Sequence, residues 1–423
     1  MSRKITRTNW SPAMIIAVIF LFSIMSPLMS YVGHGLKTSW PIFGVWIYFT
    51  ILEKRNLSSS IKKEIYNRRF ELCMFSAWLF LIFFNYALGR GYTGLVHLQV
   101  TLTLGMVLCV DIFYTAKNNK SHEAIQISVL ILVGLEVTRS LGTLFLEPSL
   151  VRQAMYLGGQ SELYARTFLS SVGDYGYYTG LALAIPVMVA LWLKQEGILR
   201  IVLLPILVMI SVSIILSSFL GATLLMVLGF CLLILLVILF GKNRLRWIVL
   251  FSLIILLAIY IWGNYLASTI QATTEIDKFI LQTNSVMQYG LIEGDLTNRA
   301  GLWLMSWRTF LDHPFLGIGP ITGQNNLLMG VLVGGHSTWL DIPAQYGLIG
   351  LFFVILFILL GMKRGLANLW TRKGRRDIKN LARLSVCFLY IIAGTYNPTF
   401  PGGVISYLFF FFVIGGISKN ATH

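Results

Sequence analysis

The sequence predicts an all-α, polytopic integral membrane protein, and three observations predict it. Apolar segments of spanning length recur along the whole chain, charges are scarce, and basic residues gather in alternate connections. A bilayer core takes roughly 20 apolar residues per helix. On that measure the segments fall near 11–32, 38–53, 70–88, 94–116, 124–145, 176–193, 201–219, 220–240, 247–266, 338–361, 381–396 and 402–418, about twelve transmembrane helices. The first is long enough to span and lacks a small-residue cleavage site, so it reads as a retained helix and not a signal peptide. The seventh and eighth divide at Ser217-Ser218-Phe219-Leu220-Gly221, a tight hairpin in otherwise continuous apolar sequence. The 56% hydrophobic and 12% charged content agrees, as does a mean hydropathy of +0.75.

A net charge of +16 suggests nucleic acid until its placement is read. With the amino terminus assigned to the cytoplasm, most of the 33 Lys and Arg fall in inner connections, densest at Arg372, Lys373, Arg375 and Arg376. That is an orientation signal, with basic loops against anionic headgroups, and it implies no nucleic-acid partner. An even number of spans leaves both termini cytoplasmic. Cys73, Cys109, Cys231 and Cys387 all sit in predicted spans without metal or disulfide spacing, and no metal site is expected. The chain reads as one integral domain, 1–423, with two elaborated outer loops, 146–175 and 267–337, the larger lying between helices nine and ten.

The chemistry is expected in those loops. In the second, Leu302, Trp303, Ser306, Trp307, Phe310 and Leu311 recur at helical spacing and form one apolar face, with Arg299 a turn before Trp303. Pro314 and Gly317-Ile318-Gly319-Pro320 stop that helix, and the loop ends at His336 beside the tenth span. The first loop offers Arg152, Glu162, Arg166 and Asp174. Glu136 and Arg139, three apart in the fifth span, form either an intrahelical ion pair or a site in which Arg139 reaches a ligand. Tyr175, Tyr177 and Tyr178 read as an interfacial belt.

Arg299, Trp303, then His313-Pro314-Phe315-Leu316-Gly317-Ile318-Gly319, then His336-Ser337-Thr338-Trp339-Leu340-Asp341 and Gln345-Tyr346-Gly347-Leu348-Ile349-Gly350, in that order and spacing, resemble the carboxy-terminal signature of the O-antigen ligase and O-antigen polymerase superfamily. The resemblance implies a GT-C-like membrane glycosyltransferase. Such an enzyme moves a glycan from an undecaprenyl diphosphate carrier to an acceptor hydroxyl, with no metal and no cofactor, alongside a flippase and a chain-length regulator. A histidine with a pKa near 6.5 suits removal of the acceptor proton, which assigns His336 as base. An arginine fork suits the departing diphosphate, and the resemblance implies Arg299 first, by its motif position, and Arg166 second, because relatives often carry an arginine in that outer loop. The family's hairpin arginine is missing at 217–223, so further cations are sought at Arg152, Arg139 and Arg90. Trp303, Trp307 and Trp339 stack on sugars or seat the loop at the interface. Asp341 orients His336 or caps the tenth span. The signature leans toward a polymerase of lipid-linked repeat units, with a ligase to lipid A core or another acceptor as the alternative. A lipid or glycan transporter fits less well, because internal repeats and broken midplane helices are not apparent.

Overall fold

The computed structural model describes residues 10–32, 38–53, 58–91, 94–117, 119–147, 150, 166–167, 169–217, 219–240, 295–321, 333, 337–369, 377–397 and 399–400. Every regular element among them is a helix. In chain order these are α1 (Pro12–Met25), α2 (Pro27–Val32), α3 (Ser39–Glu53), α4 (Ser58–Asn67), α5 (Arg69–Ala87), α6 (Gly94–Lys117) and α7 (Asn119–Leu146). They continue as α8 (Tyr175–Lys194), α9 (Ile198–Leu216), α10 (Leu220–Phe240), α11 (Asp295–Asp312), α12 (Thr338–Leu369) and α13 (Ile378–Tyr396). Eight of the described helices, α5 to α10, α12 and α13, are long and apolar enough to cross a membrane. The spans expected at 247–266 and 402–418 lie outside the described residues.

The first expected span is divided. Ser11 caps α1 by accepting from the Met14 amide at 3.4 Å, and Pro12 occupies the first turn, where its missing N–H costs nothing. The helix closes at Ser26, whose backbone turns extended because Pro27 follows, and α2 starts afresh. The hairpin reading is matched: α9 stops at Leu216 and α10 begins at Leu220.

Packing centres on α8, which lies against α9, α10 and α13, while α12 packs on α13, α5 and α11. The long apolar faces of α9 and α10 keep many large side chains exposed, among them Ile201, Val208 and Leu235. In lipid such faces need no covering, so the buried set is narrower than in a soluble bundle. Tyr177 and Tyr178 correct the expected belt. Both are buried, packed edge to face at 5.3 Å, with Tyr178 also against Phe219. Helix α8 is so enclosed that every residue from Tyr177 to Leu191 is buried.

At the end of the bundle where α5 begins and α6 finishes, the near end, buried charges tie helices together. Arg68 pairs with Asp111, which also bonds His122 Nε2 at 2.6 Å, and Arg68 reaches Glu64 at 2.7 Å. Burial opposes the Arg68 charge, yet Asp111 and Glu64 outweigh it and hold its pKa above the ordinary arginine value. Glu123 of α7 receives Lys379 of α13 at 2.8 Å and Lys194 of α8 at 3.0 Å.

Candidate active site

The opposite, far end holds the predicted site region, and its core is a broken helix. Within α12 the backbone leaves helical geometry at Gly347, with φ +65°, four residues after Pro343. The segment after α11 supplies the backbone partners that the break requires. The Leu348 amide donates to the Pro314 carbonyl at 2.7 Å, Ile318 donates to Ala344 O at 3.0 Å, and Gly319 donates to Gln345 O at 2.9 Å. Backbone lies directly on backbone here. A Cβ at Gly347 would collide with the Phe315 carbonyl, and one at Gly317, itself at φ +62°, with the Gln345 carbonyl. The His313–Gly319 and Gln345–Gly350 motifs are therefore two halves of one junction.

Arg90 secures that junction from the α5–α6 turn, its Nη2 donating to the Gly317 carbonyl at 2.6 Å. This expected cation thus has one guanidinium nitrogen committed to the fold. Beneath it, Tyr346 is buried, its hydroxyl 2.5 Å from His97 Nδ1 and its ring on Trp78.

Helix α11 docks on the start of α12 differently from its sequence pattern. Its buried positions are Ser306 and Thr309, with Trp303 and Phe310 half-buried, while Leu304, Trp307 and Leu311 are exposed. The expected apolar face is thus split, because a carboxylate occupies the contact. Asp341, buried, accepts from Ser306 Oγ at 2.8 Å and from the Ser337 amide at 3.0 Å. Asp341 therefore caps α12, the second of its two expected roles. Position 299 lies in the first turns of α11, while His336 and Arg152 lie outside the described residues.

The other expected groups separate. Trp339 packs between helices, its Nε1 donating to the Ile391 carbonyl of α13 at 3.1 Å. Arg166, largely exposed, pairs with Glu147 at 2.7 Å, and Arg139 donates to the Leu169 carbonyl at 2.8 Å. Both belong to the rim formed by the end of α7 and the 166–171 turn, whereas Arg90 belongs to the α12 junction. The Glu136–Arg139 ion pair does not form: Glu136 turns inward and accepts from Ser26 Oγ at 2.6 Å, because the α1–α2 break presents a hydroxyl and an amide beside it.

Polar contacts missed in the sequence knit the centre of this end. Thr338 Oγ1 donates to the Asn397 carbonyl at 3.1 Å and accepts from the Thr399 amide at 2.7 Å, and Asn397 Nδ2 donates to the Tyr175 hydroxyl. Asp174 caps α8 by accepting from the Tyr177 amide at 2.9 Å. Burial pushes its carboxyl above the usual range, and the Tyr177 and Gly176 amides offset this only in part. Helix α8 is thus closed by a carboxylate and α12 by Ser337 with Asp341. The only sequence signal for this set was a Ser, Thr, Asn or Asp at each helix boundary.

No curated protein matches the chain. A family model described as O-antigen ligase matches residues 205–355, from within α9 to beyond the Gly347 break, and so takes in α11, its junction and Asp341. Over that segment, about a third of the chain, the sequence is similar to the O-antigen ligase family.

Proposed function

We propose that this protein polymerises undecaprenyl diphosphate-linked repeat units into O-antigen or capsular polysaccharide at the outer face of a bacterial cytoplasmic membrane. The observation that carries the reading is the docking of α11, which bears position 299, onto the residues that follow His336, through Asp341. In the reaction, an acceptor sugar hydroxyl attacks the anomeric carbon of the donor glycan. The new glycosidic bond forms as the bond to diphosphate breaks, the acceptor proton passes to His336, and the electron pair leaves on the lipid diphosphate. Arg299 neutralises that leaving group, with a second arginine from the α7 rim, Arg166 or Arg139, or from Arg152. Arg90 serves the site by holding Gly317, and among the described residues its remaining N–H groups are available to an anion. The exposed Trp307 and the half-buried Trp303 offer sugar-stacking faces.

The family description favours a second reading, a ligase that transfers the finished glycan to lipid A core or another acceptor. The two share the donor chemistry and differ in acceptor. Purified protein given undecaprenyl diphosphate-linked repeat units as its only glycan separates them. A ladder of lengthening lipid-linked products, lost in His336→Ala and Arg299→Ala, is the polymerase result. Transfer only after lipid A core is added makes it a ligase, and activity that survives His336→Ala removes the assigned base.

A further inference from the structure

The contact between α11 and α12 contains more than a helix cap needs. Asp341, 3% exposed, spends one oxygen on the Ser337 amide at 3.0 Å and the other on Ser306 Oγ at 2.8 Å, and its own amide donates to the Ser337 carbonyl at 2.8 Å. Ser306 and Ser337 are also buried. A buried carboxylate is costly unless hydrogen bonds hold it, and an uncharged side chain suffices to cap a helix. The Ser306 bond, between elements 35 residues apart, is the part that capping leaves unexplained. Position 299 precedes Ser306 by two helical turns and shares its face of α11, while Ser337 follows His336 in the chain. The α12 side of the contact is itself fixed, since Ser337 Oγ donates to the Gly394 carbonyl at 3.2 Å and Thr338 is bonded to Asn397 and Thr399.

We infer that Asp341 is a positioning residue: its carboxylate sets the register between α11 and the start of α12, and so the spacing between position 299 and the backbone adjoining His336. The catalytic meaning of that spacing rests on the function proposed above, whereas the clamp is a property of two helices. An error of about 1 Å in such spacing costs on the order of 100-fold in rate.

The test uses the full chain in lipid nanodiscs, comparing Asp341→Ala, Ser306→Ala, the double variant and Asp341→Asn, which retains one acceptor oxygen. With lipid-linked donor, kcat is expected to fall about 100-fold in Asp341→Ala and about 10-fold in Ser306→Ala, with KM changed less than about twofold. The double variant should be no slower than Asp341→Ala, because both changes remove one shared bond. Deuterium uptake over 302–312 should rise in each single variant and stay level over 181–191 of α8. Rate losses that multiply, or unchanged uptake over 302–312, overturn the clamp. If Asp341→Ala fails to fold, Ser306→Ala and Asp341→Asn carry the same comparison. A wild type inactive on every lipid-linked donor sinks the transferase reading instead, and the uptake measurement still decides the clamp.

Discussion

A few side chains at the far end have no substitute, and the reason is space or charge. Gly347 combines a left-handed φ with a carbonyl where a Cβ would stand, so Gly347→Ala must both strain the backbone and part the junction. Backbone strain of that kind costs about 1–3 kcal/mol. The variant is therefore expected to melt earlier than wild type in nanodiscs and to lose transfer activity, whereas Gly142→Ala, with open space around its Cβ and an ordinary helical backbone, should match wild type. Equal melting of the two variants would refute the role given to Gly347. At the near end, Asp111 stands between Arg68 and His122, and these residues are 1%, 2% and 3% exposed, too deep for water to screen them. Removing one member of a buried pair costs about 3–5 kcal/mol. Asp111→Asn should thus lower the melting temperature well beyond Glu147→Gln, whose partner Arg166 is largely exposed.

Among elements, α11 and the 313–321 segment are held from two sides, α11 by Asp341 of α12 and the segment by Arg90 of the α5–α6 turn. A hydrogen bond to a charged group contributes about 1.5–3 kcal/mol. Arg90→Ala should release the 313–321 segment without unfolding the bundle. Limited proteolysis checks this, the expected outcome being faster cutting within 313–321 and unchanged cutting between α9 and α10. The existence of α11 and its stop at Pro314 were legible from its 3.6-residue period and the Pro-Gly signals. Its inward face was not, because periodicity ranks apolar against polar and has no means of anticipating a carboxylate on another helix. The same limit applies to α8, whose tyrosines looked interfacial until their neighbours were known, and to Glu136, whose partner lies 110 residues away.

For the whole molecule, the distribution of charge predicts which end faces the cytoplasm. Single cysteines placed at exposed Leu311 and exposed Ile198, in a chain whose four native cysteines are replaced, test it in intact spheroplasts. A membrane-impermeant thiol reagent should label position 311 and spare 198, and the reverse pattern would invert the topology and move the proposed site to the cytoplasmic face. The sequence by itself determined that the chain is an all-helical membrane protein, because span length and hydropathy are local properties answerable to bilayer thickness. It also marked motifs that lie within the 205–355 segment matched by the family model. Only the tertiary structure decided what the motif residues touch: Gly347 against Phe315, Asp341 on Ser306, Trp339 on α13, Arg90 on Gly317. Those contacts join residues far apart in the chain, and their geometry is set by how close two backbones can approach and where a buried charge finds its donors, neither of which a local pattern contains.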